Sequence, residues 1–485
     1  MTRCVLALDQ GSHASRACLF DATGTLLASA VVTVATQHPV AGQVEQDADE
    51  LVHSLQAAAD EAVARARATH PGLEVSAAGL AVQRSTIVCC MRTGGQALAP
   101  AISWQDHRNA AWLETLAPQA ARIRELTGLP LSAHYGASKI RWCLEHLPAV
   151  ARAAAAGELL AAPLASFLAM RLTGGPAAAT GAAIVDAANA SRTLLFDSQR
   201  LDWSDELLGL FAIERAWLPR PAPTRGAWGT LRIRECETQL RAVTGDQSAV
   251  PYADGAPDLA TVYVNLGTGA FIQRPLTSRP TAPAPLLGSV LSCDSGAAIY
   301  SLEGTVNGAG AAVSWFCAQQ GREEHLLWAA LDTLPAGAEL PVFVNGIGGM
   351  GSPWWRATMD SRFIDATGAA GGSLTRFAAV IESVAFMIAT NAELLARQAG
   401  APRRVLLTGG MSRSQWLCRR LAALLGLPVL VSEAEASARG VGRLAAPELA
   451  SQWAGAPART WLPEPDLALR ARYRRFTDSV AAAGN

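Results

Sequence analysis

The chain opens on a short apolar run, Cys4–Leu8, which breaks at Asp9 into the polar, glycine-bearing stretch Asp9-Gln10-Gly11-Ser12-His13-Ala14-Ser15. Apolar alternation resumes over Arg16–Asp21, stops at Thr23-Gly24 and returns over Thr25–Val32. Three strands of an antiparallel meander are therefore expected, the first joined to the second by a polar turn. The same device recurs where Thr261–Asn265 leads into Gly267-Thr268-Gly269 and out again through Phe271–Gln273. Asp49–Thr69, Ser138–Leu147 and Thr375–Gln398, the last stopped by Gly400, carry apolar positions at helical spacing and predict helices. Ala78–Val82 and Val405–Thr408 predict strands among them. Strand–helix alternation around a repeated strand–turn–strand unit argues for an α/β chain of two related halves. Proline-rich Leu218–Thr224 and the segment Ala249–Pro257 are linker candidates. The second sets the expected boundary, giving residues 1–252 and 253–485.

Length and charge narrow the picture. At 485 residues, half of them apolar, the chain exceeds one compact core and suits two domains. A net charge of −1 leaves no electrostatic footprint for nucleic acid or an anionic membrane surface, which favours a small-molecule partner. Nine cysteines are scattered without a C-x-x-C pair, so neither a disulfide framework nor a zinc site is expected, and the compartment is read as reducing. The apolar run before Asp9 is too short for the core of a signal peptide. The alanine-rich stretch between Glu158 and Arg171 is broken by Pro163 and too short for a membrane span. A cytoplasmic protein is expected.

Three turns carry the candidate chemistry. Backbone N–H groups in tight, glycine-permitted turns can hold a triphosphate whose charge is spread over many oxygens. Asp9–Arg16 supplies an acid for a Mg²⁺ shell, a glycine, hydroxyls and an arginine; Asn265–Gly269 supplies a second turn. Leu407-Thr408-Gly409-Gly410-Met411-Ser412-Arg413-Ser414 follows a strand and opens a helix expected to end near Gly426. Its glycine pair lets a flat base approach the backbone. Taken singly, each is equally an ordinary turn or a capped helix start. A fourth stretch, Gly346-Ile347-Gly348-Gly349-Met350-Gly351, fits G-x-G-x-x-G. It runs into Ser352-Pro353-Trp354-Trp355 and not into a helix, so a dinucleotide site is rejected.

With the turns in this order, the sequence resembles the FGGY carbohydrate kinases over nearly its whole length. The matching stretches are LALDQGSHASR at the start, VQRST at 82–86, SWQDHR at 103–108, GASKIRW at 136–142, NASRTLLFD at 189–197, TGDQSA at 244–249, NLGTGAF at 265–271, LEGTVNGAGAAVSW at 302–315 and GGMSRS at 409–414. The resemblance implies two ribonuclease-H-like α/β domains, of the actin and hexokinase kind, with ATP and a polyol or sugar in the cleft between them. It places the catalytic base on Asp246, where a carboxylate beside the attacking hydroxyl can accept its proton. Asp9 and Asp246 match the Mg²⁺ side. Ser12, His13, Arg16 and Thr268 match phosphate contacts, and Gly310, Ser314, Gly410 and Ser414 the nucleoside side. Arg84, Ser85, Trp104, His134, Tyr135, Gln247 and Phe271 fall on the acceptor pocket, beside Asp246. Glycerol leads the acceptors so implied, with another polyol or a ketopentose as the alternative, and a homodimer is compatible with the resemblance. A nucleotide-binding regulator without turnover is a third reading, opposed by the presence of Asp9, Asp246 and Thr268.

The departures from the resemblance sit in the acceptor pocket and the first turn. Glycerol-phosphorylating members of the family carry Gln-Arg-Glu where this chain has Gln83-Arg84-Ser85, so a carboxylate that accepts from a substrate hydroxyl is missing. His134 stands at the family's pocket tyrosine and Tyr135 at the following phenylalanine. His13 replaces a threonine of the first turn, and Gly136 a serine.

Overall fold

The computed structural model describes residues 2–174, 183–234, 236–281, 285–335, 337–365, 368–432, 435–455 and 458–483. Two sheets organise it. The first takes β1 (Thr2–Gln10), β2 (Ala14–Asp21), β3 (Leu26–Thr33), β4 (Leu73–Val82), β5 (Arg225–Ile233) and β6 (Cys236–Gly245) in the order β5-β6-β4-β1-β2-β3. The second takes β7 (Thr261–Leu266), β8 (Ala270–Leu276), β9 (Leu287–Asp294), β10 (Ala297–Val306), β11 (Arg404–Thr408), β12 (Val429–Ser432) and β13 (Ala458–Trp461) in the order β9-β10-β8-β7-β11-β12-β13. In both, an antiparallel run (β1-β2-β3; β7-β8-β10) is extended on the other side of its first strand by a parallel neighbour, β4 or β11. The expected repeat of strand, turn and strand is thus a repeat of a whole sheet topology.

The strands read as they do because both faces are covered. Val5, Leu6, Ala7 and Leu8 of β1 are all buried, the continuous apolar pattern of a strand packed on two sides. One face receives α1 (Ala48–Thr69), capped by Asp47 and presenting Leu51, Leu55, Ala58 and Ala62. The other face receives α6 (Ala436–Ala445), which comes from the far end of the chain. Its Ala438, Val441 and Leu444 pack against Ala7, Phe20, Ala77 and Ala242. The approach is close: a Cβ on Gly440 would lie 1.9 Å from the Ala249 carbonyl oxygen. The second sheet is packed by α3 (Gly310–Gln320), α4 (Ser373–Ala399), α5 (Gln415–Leu425) and α7 (Leu467–Ala482). Helix α4 is long and apolar enough to cross a membrane, yet its apolar stretch is 83% buried in this core. The helix between β4 and β5 that opens the acceptor side is α2 (Gly136–His146).

The linker candidates have other fates. Arg220–Ala222 of the proline-rich stretch forms a short strand parallel to Ile184–Asp186. Ala249–Tyr252 is helical and packs beneath α6. The G-x-G-x-x-G stretch is a loop between the paired strands Val342–Val344 and Arg362–Ile364, as its context required. Trp354 packs on Phe476, and Trp355 donates to the Pro285 carbonyl. Glu382, left without chemistry, is fully buried on α4 and accepts two hydrogen bonds from Arg472 of α7. The nine cysteines are free thiols.

Candidate active site

The ends of β1, β6, β7 and β11 converge between the sheets. β1 delivers Asp9 and β2 delivers Arg16 as direct cross-strand partners. Asp246 opens the turn of helix after β6, its Oδ1 accepting the Gln247 N–H at 2.7 Å. Gln247 Oε1 in turn accepts from Asn265 Nδ2 of β7 at 3.1 Å, which ties the acid of the first half to the turn of the second. Between them lies a cavity of about 830 Å³, lined by Asp9, Gly11, Arg16, Asp246, Gln247, Gly410, Arg413 and Glu435 among others. A smaller cleft of about 470 Å³, between β5 and Pro447–Glu448, carries none of the motif residues.

Two acids of the cavity, Asp9 and Asp246, are perturbed. Burial, reinforced by the nearby Asp246 carboxylate, pushes Asp9 up to about 7, with Arg16 pulling the other way. Burial also raises Asp246, and Arg84 partly offsets it. Arg16 Nη1 meets Glu435 Oε2 at 2.7 Å, an ion pair across the cavity that the sequence reading did not anticipate.

Behind Asp246 the acceptor-side residues cluster. Arg84 lies over the Phe271 ring at 4.7 Å, with Nη1 3.2 Å from Glu303 Oε1. Arg192 pairs with Glu303 from the other side and is bonded to the Tyr135 hydroxyl. Glu303 is fully buried on β10, so it serves two buried arginines at once. Burial lowers those arginines to about 10 and about 9, which leaves both charged at neutral pH. His134 sits edge-on to Trp104 and Tyr135, at 5.6 and 5.0 Å between ring centres. Burial and the cations Lys139 and Arg192 hold it neutral, well below the ordinary histidine range. Ser85 adopts a φ of +66° and its buried hydroxyl has no hydrogen-bond partner among the described residues. Backbone strain and an unsatisfied hydroxyl at one residue mark a place where a ligand group would be accommodated. Lys139 of α2 donates from Nζ to the carbonyls of Ser85 at 2.9 Å and His134 at 2.7 Å, fixing both pocket residues.

The remaining predicted residues are distributed around this centre. The carbonyls of Gly267 and Thr268 accept N–H groups from Ala309, Gly310 and Ala311, so the second turn is docked on the start of α3. A Cβ on Gly310 would lie 2.8 Å from the Gly267 oxygen, which is why glycine stands there. Gly409 has φ +89° and leads into Gly410 at the cavity wall. The Ser414 hydroxyl is committed to capping α5, accepting the Leu417 N–H. His13, Thr268 and Ser314 are exposed and do not line the cavity, and the Ser12 hydroxyl is engaged by Trp104 and Gln83. Sequence reasoning missed Glu303 and Arg192, although both lie in quoted motifs. A lone glutamate in the otherwise apolar strand of Ser301-Leu302-Glu303 was the available signal.

Two α/β halves of one topology, facing each other over an acid-lined cavity with three glycine-bearing turns, define a phosphotransferase of the ribonuclease-H-like class. Family comparison is specific. Residues 4–264 match the N-terminal domain, and residues 262–448 the C-terminal domain, of the FGGY family of carbohydrate kinases. The chain is 33% identical over 473 residues to a glycerol kinase of Citrifermentans bemidjiense, covering 93% of this chain and 92% of that protein. It is 35% identical over 501 residues to a glycerol kinase of Thermus brockianus, covering 99% and 98%. Its fold is similar to that of Plasmodium falciparum glycerol kinase with ADP (TM-score 0.88, 18% identity, 99% of this chain and 98% of that one). It is also similar to that of xylulose kinase from Rhodospirillum rubrum (TM-score 0.84, 21% identity, 99% of each chain). The chain belongs to the FGGY family of carbohydrate kinases, and it is a carbohydrate or polyol kinase.

Proposed function

We propose that the chain transfers the γ-phosphoryl group of ATP to a hydroxyl of a small polyol, glycerol foremost, in the cytoplasm, with residues 1–252 carrying the acceptor side and residues 253–485 the nucleotide side. The observation that carries this reading is Asp246. It stands at the junction of the 830 Å³ cavity with the Arg84–Phe271 cluster, raised by burial and held by Gln247. A carboxylate in that position orients the acceptor hydroxyl and takes its proton as the bond to phosphorus forms. Arg84 and Gln247 bind acceptor hydroxyls, and Trp104 and Phe271 wall the carbon chain. Arg16, Gly410 and the first-turn amides receive the phosphates; Thr268, Gly310, Ser314 and Ser414 shape the rest of the nucleotide site.

The acids fit a magnesium ion. Two carboxyls with raised proton affinity face one cavity, and Mg²⁺ needs few protein oxygens because it keeps its waters. Asp9 and Asp246 would hold it, and the ion supplies neutralisation of phosphate charge.

The test is ADP release from MgATP with glycerol, other polyols, ketopentoses and ketohexoses. Turnover on one acceptor that is lost in Asp246→Asn supports the reading, and silence with every acceptor refutes it. A ketopentose is the second reading, favoured by Ser85, whose unpartnered hydroxyl offers a neutral contact where glycerol-phosphorylating relatives offer a carboxylate.

A further inference from the structure

Beneath the first phosphate turn lies a closed hydrogen-bonded ring that the catalytic roles above leave unused. The Ser12 hydroxyl donates to Gln83 Oε1 at 2.9 Å. Gln83 Nε2 donates to Gln46 Oε1 at 2.7 Å, and Gln46 Nε2 returns to the Ser12 carbonyl at 2.8 Å. Two further donors reach the ring: Trp104 Nε1 to Ser12 Oγ at 2.8 Å from the acceptor side, and, more weakly, Thr36 Oγ1 to the Ser12 carbonyl at 3.4 Å. Gln46 and Gln83 are 1% and 2% exposed, so these contacts are shielded from bulk solvent.

The ring draws together three segments. Gln46 lies on the short strand Glu45–Gln46, paired with Ala101–Ile102 two residues ahead of Trp104. Gln83 follows β4, and its backbone N–H donates to the Gln10 carbonyl. Ser12 is the centre of the turn. Its single hydroxyl hydrogen is spent on Gln83, so its side chain has no proton for a phosphate oxygen. The turn presents instead the backbone N–H groups of Ser12 and His13, which have no partner among the described residues. Where those amides point depends on the Ser12 carbonyl and hydroxyl, and the ring holds both.

We propose that Gln46 and Gln83 are positioning residues that transmit occupancy of the acceptor pocket to the phosphate turn, through the Trp104 indole and the Ser12 hydroxyl. This rests on the kinase reading above. An acceptor packed on the Trp104 face fixes the indole, the indole N–H fixes Ser12, and the ring keeps the Ser12 and His13 amides aimed at the nucleotide. Coupling of this kind is reciprocal, so nucleotide must tighten acceptor binding by the same factor.

The experiment is calorimetric titration of MgADP into the full chain, with and without a saturating acceptor, glycerol or the ketopentose if the turnover panel selects it. With one hydrogen bond coupling the sites, the acceptor is expected to lower the MgADP Kd roughly three- to tenfold. In Trp104→Phe, which keeps the ring and loses the N–H, and in Gln46→Leu, which touches neither ligand, that ratio falls to about one. Gln46→Leu also weakens MgADP alone while leaving the acceptor Kd measured without nucleotide unchanged, which general destabilisation would not do. If Gln46→Leu fails to fold, Trp104→Phe carries the test. A wild-type ratio of one alongside normal turnover, or a ratio retained in either variant, overturns the proposal. A wild type that neither binds MgADP nor turns over any acceptor overturns the kinase reading itself.

Discussion

Lys139 is the only lysine of the chain, and the structure gives it a testable charge state. Its side chain is completely buried, and its Nζ has the carbonyls of Ser85 and His134 as partners in place of a carboxylate. Burial lowers it from 10.5 to about 7; Asp106 resists that shift and Arg108 adds to it. A drop of about 3.5 corresponds to an upper limit of about 5 kcal/mol. The unfolded chain keeps this proton up to about 10.5 while the folded chain releases it near 7, so the unfolded state binds more protons in between. Stability then rises with pH across that window, by up to about 1.4 kcal/mol per unit, and the whole penalty is present below pH 7. Because there is one lysine, protein grown with ¹³C-lysine gives a single Cε signal from that residue type. Its titration midpoint reads the ionisation directly and should fall near 7. Lys139→Met should abolish the corresponding slope in urea unfolding between pH 7 and 9, measured as the difference from wild type. It should also weaken acceptor binding, because two pocket carbonyls lose their donor. A midpoint near 10.5 would refute the argument, since it would mean that water or a carboxylate reaches Nζ.

Other perturbations have equally definite outcomes. Gly409→Ala places a Cβ 2.4 Å from the Leu266 carbonyl oxygen at φ +89°, and should cost about 1–3 kcal/mol and raise the ATP KM several-fold in steady-state assays. Glu435→Gln frees Arg16 from a half-exposed ion pair worth about 1 kcal/mol or less, so ATP should bind up to about fivefold tighter at low salt. Glu382→Ala strands Arg472 in the core between α4 and α7, and denaturant unfolding should show a loss of about 3–5 kcal/mol.

The two sheets were legible because their patterns are local. β1 to β3 and α1 were placed to within two residues, since a strand buried on both faces and a capped amphipathic helix each carry their own signal. β4 was shortened to its last five residues, because Leu73–Ala77 mixes Glu74 and Ser76 into the strand. Asp9, Arg16 and Asp246 were singled out from motif order, and the fold brings all three to one cavity. What stayed hidden depends on contacts far apart in the chain. Glu303 meets Arg84 across 219 residues, and the Arg16–Glu435 pair spans 419. No window of periodicity registers either. Gln46 and Gln83 are invisible for a related reason: a buried amide reads as a surface residue until its partners are known.

Helix α6 has a consequence for how the protein is made. The strands of the first sheet are all synthesised by residue 245, yet the face formed by Val5, Ala7, Phe20, Ala77 and Ala242 has its cover only when residues 436–445 arrive. At roughly 5–20 residues per second, those two hundred residues keep an apolar surface waiting for about 10–40 s beside the ribosome. The first half is therefore expected to need residues 436–445 in order to fold. A fragment ending at residue 252 should aggregate when expressed alone, and a peptide spanning α6 supplied in trans should restore its solubility. A nascent chain halted between residues 252 and 436 is therefore expected to expose this face, and stalled chains of that length should bind an apolar dye that the full chain does not.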